Sequence, residues 1–278
     1  MESAKPSNTH LSVSIVVYNN SVDMLQRTLG SLKIAASVLD RVSVLLLDNA
    51  SQPSYRAELA EMISQWQLPE GNGFTFEYQE LPENLGFGGG HNRALEGLDS
   101  DFHLILNPDV ELMPDALSTA IARLRSDNDL ALLSPRVEGP NGEQEFLCKR
   151  YPSVLVLVLR AFAPAFLRRQ FQQRLEDYQM EDICSGDEEA EVPLASGCCM
   201  LVRTAHLLDE GGFDERYFMY FEDFDLSLRL ARRGRLLFYP AMRIVHHGGY
   251  AASKGVDHIR YFISSGLRFF RQHGWRFI

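Results

Sequence analysis

Two groups of acids and one pair of histidines are the residues most able to do chemistry in this 278-residue chain. Asp109 follows the apolar run Phe102–Leu106 through Asn107-Pro108. A carboxylate there could ligate a hard divalent cation that also bridges two phosphates, although Asp is equally a common turn former. Glu222, Asp223 and Asp225 sit within the aromatic stretch Tyr217-Phe218-Met219-Tyr220-Phe221-Glu222-Asp223-Phe224-Asp225. Partial burial there would raise a carboxyl pKa toward the range of a general base, while the same acids would also suit the first turn of a helix. His246 and His247 close the run Ile244-Val245 before Gly248-Gly249, a strand-end position from which an imidazole could bind metal.

Further polar residues cluster where apolar runs stop: Tyr18-Asn19, Asp48-Asn49-Ala50-Ser51, and Asn84-Leu85-Gly86-Phe87-Gly88-Gly89-Gly90-His91-Asn92. The glycine run fails the dinucleotide fingerprint, because His91 stands where the third glycine would be. It reads either as a flexible loop or as bare backbone approaching a ligand before a helix that starts near His91.

Apolar periodicity supplies the elements that must position these residues. Strands are expected at 13–17, 42–47, 74–78 and 102–106, and helices at 21–37, 55–66, 91–98 and 114–125. Such alternation predicts an α/β fold with a mostly parallel sheet covered by helices on both faces, and ligands at the C-terminal strand ends. In the second half, strands are expected at 199–202 and 236–239, a helix at 222–233, and an amphipathic basic helix at 255–277. Residues 176–191 hold eight acids with no Lys or Arg and read as a solvated loop.

The net charge of −10 argues against nucleic acid as a partner. An enzyme of phosphorylated substrates with this charge needs a local cation. The spacing of Cys148, Cys184, Cys198 and Cys199 supports neither a zinc site nor a disulfide framework, so free buried thiols are expected. The polar residues 1–10 read as a flexible terminus without an apolar signal. No apolar stretch approaches the ~20 residues of a membrane span.

Seven blocks in order, VSIVVYN, LLLDNAS, NLGFGGGHN, LILNPDVEL, ASGCCMLVR, GGFDERYFMYFEDFDL and VHHGG, make the chain resemble the inverting glycosyltransferases of family 2, in the rhamnosyltransferase-like branch. The resemblance implies a GT-A (Rossmann-like) domain over 11–253, with a nucleotide-binding half (11–110), an acceptor and catalytic half (111–253), and a C-terminal helical extension at 254–278. It implies that Asp48 reads the nucleobase edge with Tyr18, Asn19 and Asn49 nearby, and that Asn84, Gly86, Asn92 and Asn107 surround the nucleotide and donor sugar. Asn107-Pro108-Asp109 matches the family's D-x-D element with Asn in first place, leaving Asp109 as direct ligand of Mn2+ or Mg2+. His246, in preference to His247, matches the C-terminal metal ligand. Glu222-Asp223 matches the E-D element, with Asp223 as catalytic base. The family's serine after the histidine is displaced here to Ser253.

The implied activity is transfer of a sugar from a nucleotide-diphosphate donor to a hydroxyl of a saccharide or lipid-linked saccharide in cell-surface polysaccharide synthesis. The first candidate donor is dTDP-L-rhamnose, and the expected location is cytoplasmic, peripheral on the inner face of the cell membrane. Two other functions fit the same fold: a sugar nucleotidyltransferase, against which the sequence after the first strand speaks, and a catalytically silent nucleotide- or sugar-binding module. Lys149, Arg150, Arg160, Arg168, Arg169 and Arg174 interleave with apolar residues and could face a lipid-linked acceptor at an anionic membrane; a helix packed on the sheet is the alternative. The aromatic, Arg-rich tail around Phe262, Phe269, Phe270 and Trp275 could touch membrane, form a homodimer or pack in the core.

Overall fold

The computed structural model describes residues 9–67, 73–248 and 256–278. Of the expected flexible terminus 1–10, residues 1–8 lie outside the described residues, as does Ser253, while Thr9 and His10 are buried and His10 already begins the first strand. The first half runs β1 (His10–Val17), α1 (Val22–Ala35), β2 (Arg41–Asp48), α2 (Pro53–Gln65), β3 (Gly73–Glu80), α3 (Gly86–Asn92), β4 (Phe102–Leu106), β5 (Val110–Leu112), α4 (Ala116–Ser126) and β6 (Leu130–Glu138). There follow β7 (Gln144–Glu145), α5 (Val154–Phe162), α6 (Ala165–Gln170), α7 (Gln172–Tyr178), α8 (Glu181–Cys184), β8 (Ala190–Glu191), β9 (Cys199–Arg203), α9 (Thr204–Asp209), α10 (Glu222–Leu230), β10 (Arg235–His246) and α11 (Val256–His273).

One mixed sheet has the order β3-β2-β1-β4-β9-β6-β10-β5, with β7 beside β6 and β8 beside β10. The β3-β2-β1-β4 half is parallel, as strand–helix alternation demands. β9 then runs antiparallel between β4 and β6, and β5 antiparallel to β10. β1 is buried along almost its whole length, so its apolar residues face the core and its alternating Ser12 and Ser14 are buried on the other face, where they need hydrogen-bond partners. Leu25, Leu29 and Leu32 of α1 pack on it, at the helical spacing read from sequence. Ser21 caps α1 by accepting from the Met24 N–H.

Three expectations need correction. The glycine run is not a loop leading into a helix near His91; it is itself the helix α3, followed by a 3-10 turn at Arg93–Leu95. Packing alone already requires its glycines. A Cβ at Gly88 would lie 2.6 Å from Cβ of Phe213, one at Gly90 2.9 Å from Cγ1 of Val16, and one at Gly86 would run into the Phe218 carbonyl. The acidic stretch 176–191 is not a solvated loop, for it carries the end of α7, α8 and β8. Its acids meet arginines from elsewhere: Arg150 with Asp182 at 2.7 Å, Arg136 with Asp187 at 2.6 Å, and Arg123 with Glu189 at 2.7 Å. Third, Arg150 is thereby spent on ion pairs, and Lys149 is buried rather than on a basic outer face. In the tail, Phe269 and Phe270 are core residues packed with Tyr217 and Phe221, while Trp275 and Phe277 are exposed.

A buried polar chain crosses under the sheet. His103 Nε2 and His91 Nδ1 flank Ser14 Oγ at 2.8 and 2.7 Å, His103 Nδ1 is 2.7 Å from Ser12 Oγ, and Ser12 continues through Ser100 to Thr204. Burial holds both imidazoles neutral, with pKa values pushed down to about 3. All four cysteines are free and buried, as expected.

Candidate active site

Strand register brings the polar strand ends together. Val17 pairs with Asp48, so Tyr18-Asn19 and Asp48–Ser51 share one edge of the sheet. Leu106 pairs with Cys199, and the Asn107 N–H donates to the Cys198 carbonyl at 2.9 Å. His246 pairs with Val110, which sets Asp109 beside the end of β10.

At the first edge, Asp48 is fully buried and its oxygens are occupied. Oδ1 accepts from the Ser51 N–H (2.9 Å), and Oδ2 from Arg56 Nε (2.8 Å) and the Tyr78 hydroxyl (3.3 Å). Reading a base edge with this carboxylate therefore requires Arg56 to move. Asn19 has positive φ and accepts from the Gln52 N–H, while Tyr18 is half exposed. Asn49 acts as a clasp: its amide donates to Asn84 Oδ1 and the Gly86 carbonyl, and its oxygen accepts from the Leu85 N–H. Asn92 points elsewhere. Its amide donates to the Phe213 carbonyl and Glu215 and accepts from the Phe213 N–H, so it ties α3 to the Gly211–Glu215 loop.

At the second edge, Asp109 Oδ1 is buried, has no hydrogen-bond partner, and lies 3.7 Å from His246 Nε2. His246 Nδ1 is 2.9 Å from Glu145 Oε2, which orients the ring with Nε2 toward Asp109. His247 faces Glu111 instead, at 2.7 Å. An orphaned carboxylate oxygen beside an oriented imidazole is a donor pair that fits Mn2+ or Mg2+. Among the described residues no group of three or more His, Cys, Asp and Glu could hold a metal, so the remaining ligands would be diphosphate oxygens and water.

Next to Asn107 and Glu145 opens a cavity of about 1170 Å³, whose lining also includes Gly197, Cys198, Glu222 and Asp223 but not Asp48, Asp109 or His246. Tyr220 and Phe221 both have positive φ, a strained pair that launches α10 so that Glu222 and Asp223 enter this space. Asp223 Oδ2 accepts from the Gly197 N–H at 3.0 Å and Oδ1 from the Phe224 N–H at 2.9 Å. Burial nevertheless raises its pKa to about 6. Glu222 is buried with Oε2 unpartnered, and burial together with the Asp223 charge pushes it well above the usual carboxyl range. The Cys198 thiol is raised chiefly by burial and further by the charges of Cys199, Asp109, Glu145 and Asp223. Asp225, by contrast, is structural, held by Arg229 at 2.8 Å and 2.8 Å from His273 of α11.

Sequence reasoning missed Glu145, Gly197 and Arg56. Gly197 lies in the block ASGCCMLVR, but its role as a backbone donor depends on a neighbour 26 positions away.

A model described as Glycosyl transferase family 2 matches residues 12–206. Over 244 residues the chain is 29% identical to the N-acetylglucosaminyl-diphospho-decaprenol L-rhamnosyltransferase of Mycobacterium tuberculosis, covering 83% of this chain and 74% of that one. It is 30% identical over 174 residues to rhamnosyltransferase WbbL of Escherichia coli K12, covering 58% and 61%. Solved structures sharing the fold include GalNAc-T7 with UDP, GalNAc and Mn2+ (TM-score 0.64, 15% identity, 96% of this chain but only 48% of that one). Another is the Pyrobaculum calidifontis mannosyltransferase PcManGT with GDP-Man and Mn2+ (TM-score 0.60, 16% identity, 95% and 65%). At such identities these structures speak for the GT-A fold alone. Among the described residues no helix is long and apolar enough to cross a membrane.

Proposed function

The chain belongs to glycosyl transferase family 2, and we propose that it transfers L-rhamnose from dTDP-L-rhamnose, with inversion, to a hydroxyl of a lipid-linked saccharide. One observation carries the reading: Asp223 stands half-buried in a cavity shared with Asn107 and Glu145, its pKa lifted to about 6, while Glu145 orients His246 toward Asp109. The rhamnosyl and lipid-linked parts rest on the names of the M. tuberculosis and E. coli relatives.

In this mechanism Asp223 accepts the proton of the acceptor hydroxyl as its oxygen bonds to the anomeric carbon from the face opposite the leaving group. The bond from that carbon to the diphosphate oxygen breaks, and its electron pair leaves with the nucleoside diphosphate. The Gly197 and Phe224 N–H groups hold the carboxylate in place and keep it from becoming too weak an acid. Asp109 and His246 would hold Mn2+ or Mg2+, which neutralises charge on the departing diphosphate. Contact with an anionic inner membrane surface belongs to the same proposal, since a lipid-linked acceptor resides there.

The test incubates purified protein and Mn2+ with dTDP-L-rhamnose and an N-acetylglucosaminyl-diphosphoprenol, scoring product by mass. A mass gain of one rhamnose that depends on dTDP-L-rhamnose, with release of dTDP, is expected. Release of dTDP without any glycoside, or no turnover of any nucleotide sugar, rejects the proposal.

A further inference from the structure

The cavity that holds Asp223 has a cationic wall for which the reaction just described has no use. Lys149 lies on it and is almost wholly buried, its ammonium donating to the Phe146 carbonyl. The Lys149 Nζ is 6.0 Å from the centroid of the Tyr178 ring, and the Arg160 guanidinium carbon is 5.2 Å from the same centroid. Arg160 also lines the cavity and stands exposed at its edge. The neighbouring Arg150 is neutralised by Asp177 and Asp182. Lys149 makes no ion pair among the described residues: burial first, and then the charge of Arg160, push its ammonium down to about 7, against a weaker opposing pull from Glu181.

Placing two cations on one ring, one of them desolvated, is costly unless an anion completes the group. In a chain of net charge −10 such a pair is not a by-product of general basicity. The same cavity is also lined by apolar side chains, Leu157 and Phe162 from α5 and Ile259 and Phe262 from α11. One cavity thus carries a carboxylate base, a cation pair and an apolar lining.

We propose that Lys149 and Arg160 form the subsite for the diphosphate that joins the acceptor saccharide to a prenyl carrier, with the Phe162 and Ile259 slot receiving the first isoprene units. The assignment rests on the glycosyltransferase reading for the identity of the acceptor, but the subsite can be probed without turnover.

Isothermal titration in EDTA, which removes any cation-mediated contact at Asp109 and His246, uses farnesyl diphosphate, inorganic pyrophosphate and farnesol as probes. Farnesyl diphosphate is expected to bind at least about ten-fold more tightly than either of the other two, because each supplies half of the recognition. Arg160→Gln, at an exposed position that leaves the fold unstrained, should weaken it about ten-fold or more, the usual worth of one charge-assisted hydrogen bond. Lys149→Gln should do the same, with its melting curve recorded to confirm folding. Equal affinity of wild type and Arg160→Gln for farnesyl diphosphate overturns the proposal, as does wild-type affinity for farnesol matching that for the diphosphate. Sugar transfer from dTDP-L-rhamnose is scored on the same preparation. Its absence alongside Arg160-dependent diphosphate binding would remove dTDP-L-rhamnose as donor and leave the subsite standing.

Discussion

The backbone N–H of Gly197 donates to Oδ2 of Asp223 over 3.0 Å, and a Cβ on that glycine would lie 2.7 Å from Cε1 of Phe87 and 3.5 Å from Cβ of Asp223. Three segments far apart in sequence thus close on one carboxylate: α3 through Phe87, the turn before β9 through Gly197, and α10 through Asp223 itself. The arrangement fixes the carboxylate by main-chain dipoles while leaving its charge poorly solvated, and several measurable consequences follow from that combination.

Asp223→Asn removes the proton acceptor but keeps shape and a hydrogen-bond acceptor for Gly197. Transfer should fall by about 100- to 10,000-fold, with nucleotide affinity nearly unchanged. Turnover within a few-fold of wild type would transfer the role of base to another group.

The same substitution should stabilise the protein at neutral pH. The native Asp223 binds its proton more tightly (about 6) than an unfolded Asp does. The native state therefore holds an extra proton between roughly pH 4 and 6, and losing it above pH 6 costs stability. Asparagine avoids that cost, so the urea midpoint at pH 7.5 should rise by an amount equivalent to at most about 3 kcal/mol, less the loss of one of the two main-chain hydrogen bonds to the carboxylate, and the gain should shrink toward pH 4.

Activity should follow the same titration in the opposite sense. As pH drops below about 6, Asp223 protonates and kcat/KM should decline toward ten-fold per unit, with a plateau above. A profile flat down to pH 4.5 would exclude this carboxyl as the group that accepts the proton.

Asp109→Ala or His246→Ala should weaken nucleotide binding only when Mn2+ is present, because each removes one side of the 3.7 Å donor pair. Calorimetry with dTDP, with and without Mn2+, reads this directly. His247→Ala should not show it, since that ring faces Glu111.

Gly86→Ala tests the packing account of the glycine helix. The residue has φ 76° and its added methyl would strike the Phe218 carbonyl, which also accepts the Phe87 N–H at 3.0 Å. A loss of about 2 kcal/mol or more is expected from the left-handed backbone and the clash together, measured by urea unfolding. A neutral outcome would restore the view that these glycines serve a ligand.

The buried His91–Ser14–His103 chain should make the fold acid-sensitive. Both imidazoles titrate near 3 when folded but near 6.5 when unfolded. The unfolded state therefore binds more protons across that window, and stability falls as pH drops below about 6.5. His103→Gln should flatten this dependence between pH 6.5 and 4.5.

Much of the fold could be read from the chain because its information is local. The runs at 13–17, 42–47 and 102–106 became β1, β2 and β4 in parallel register, and the helix expected at 21–37 became α1. The acid- and histidine-bearing strand ends were equally legible, since polar residues after buried strands have few other reasons to be there. What failed was local reasoning about residues whose partners are remote. The glycine run looked flexible because groups it packs against, the Phe213 ring and the Phe218 main chain, lie more than 120 positions later. The acidic stretch looked solvated because Arg123, Arg136 and Arg150 come from three other elements.

The sequence by itself determined an α/β chain of family 2 type, with the residues that could bind a nucleotide, a cation and a proton, because side-chain chemistry and periodicity are written residue by residue. Only the tertiary structure decided that Asp109 faces His246 and not His247, that Asn92 binds the Gly211–Glu215 loop, and that Asp48 is already engaged by Arg56. It also decided that Lys149 is buried beside Arg160. Those outcomes depend on strand order and on which groups lose water when distant segments pack, and both are properties of the folded chain as a whole.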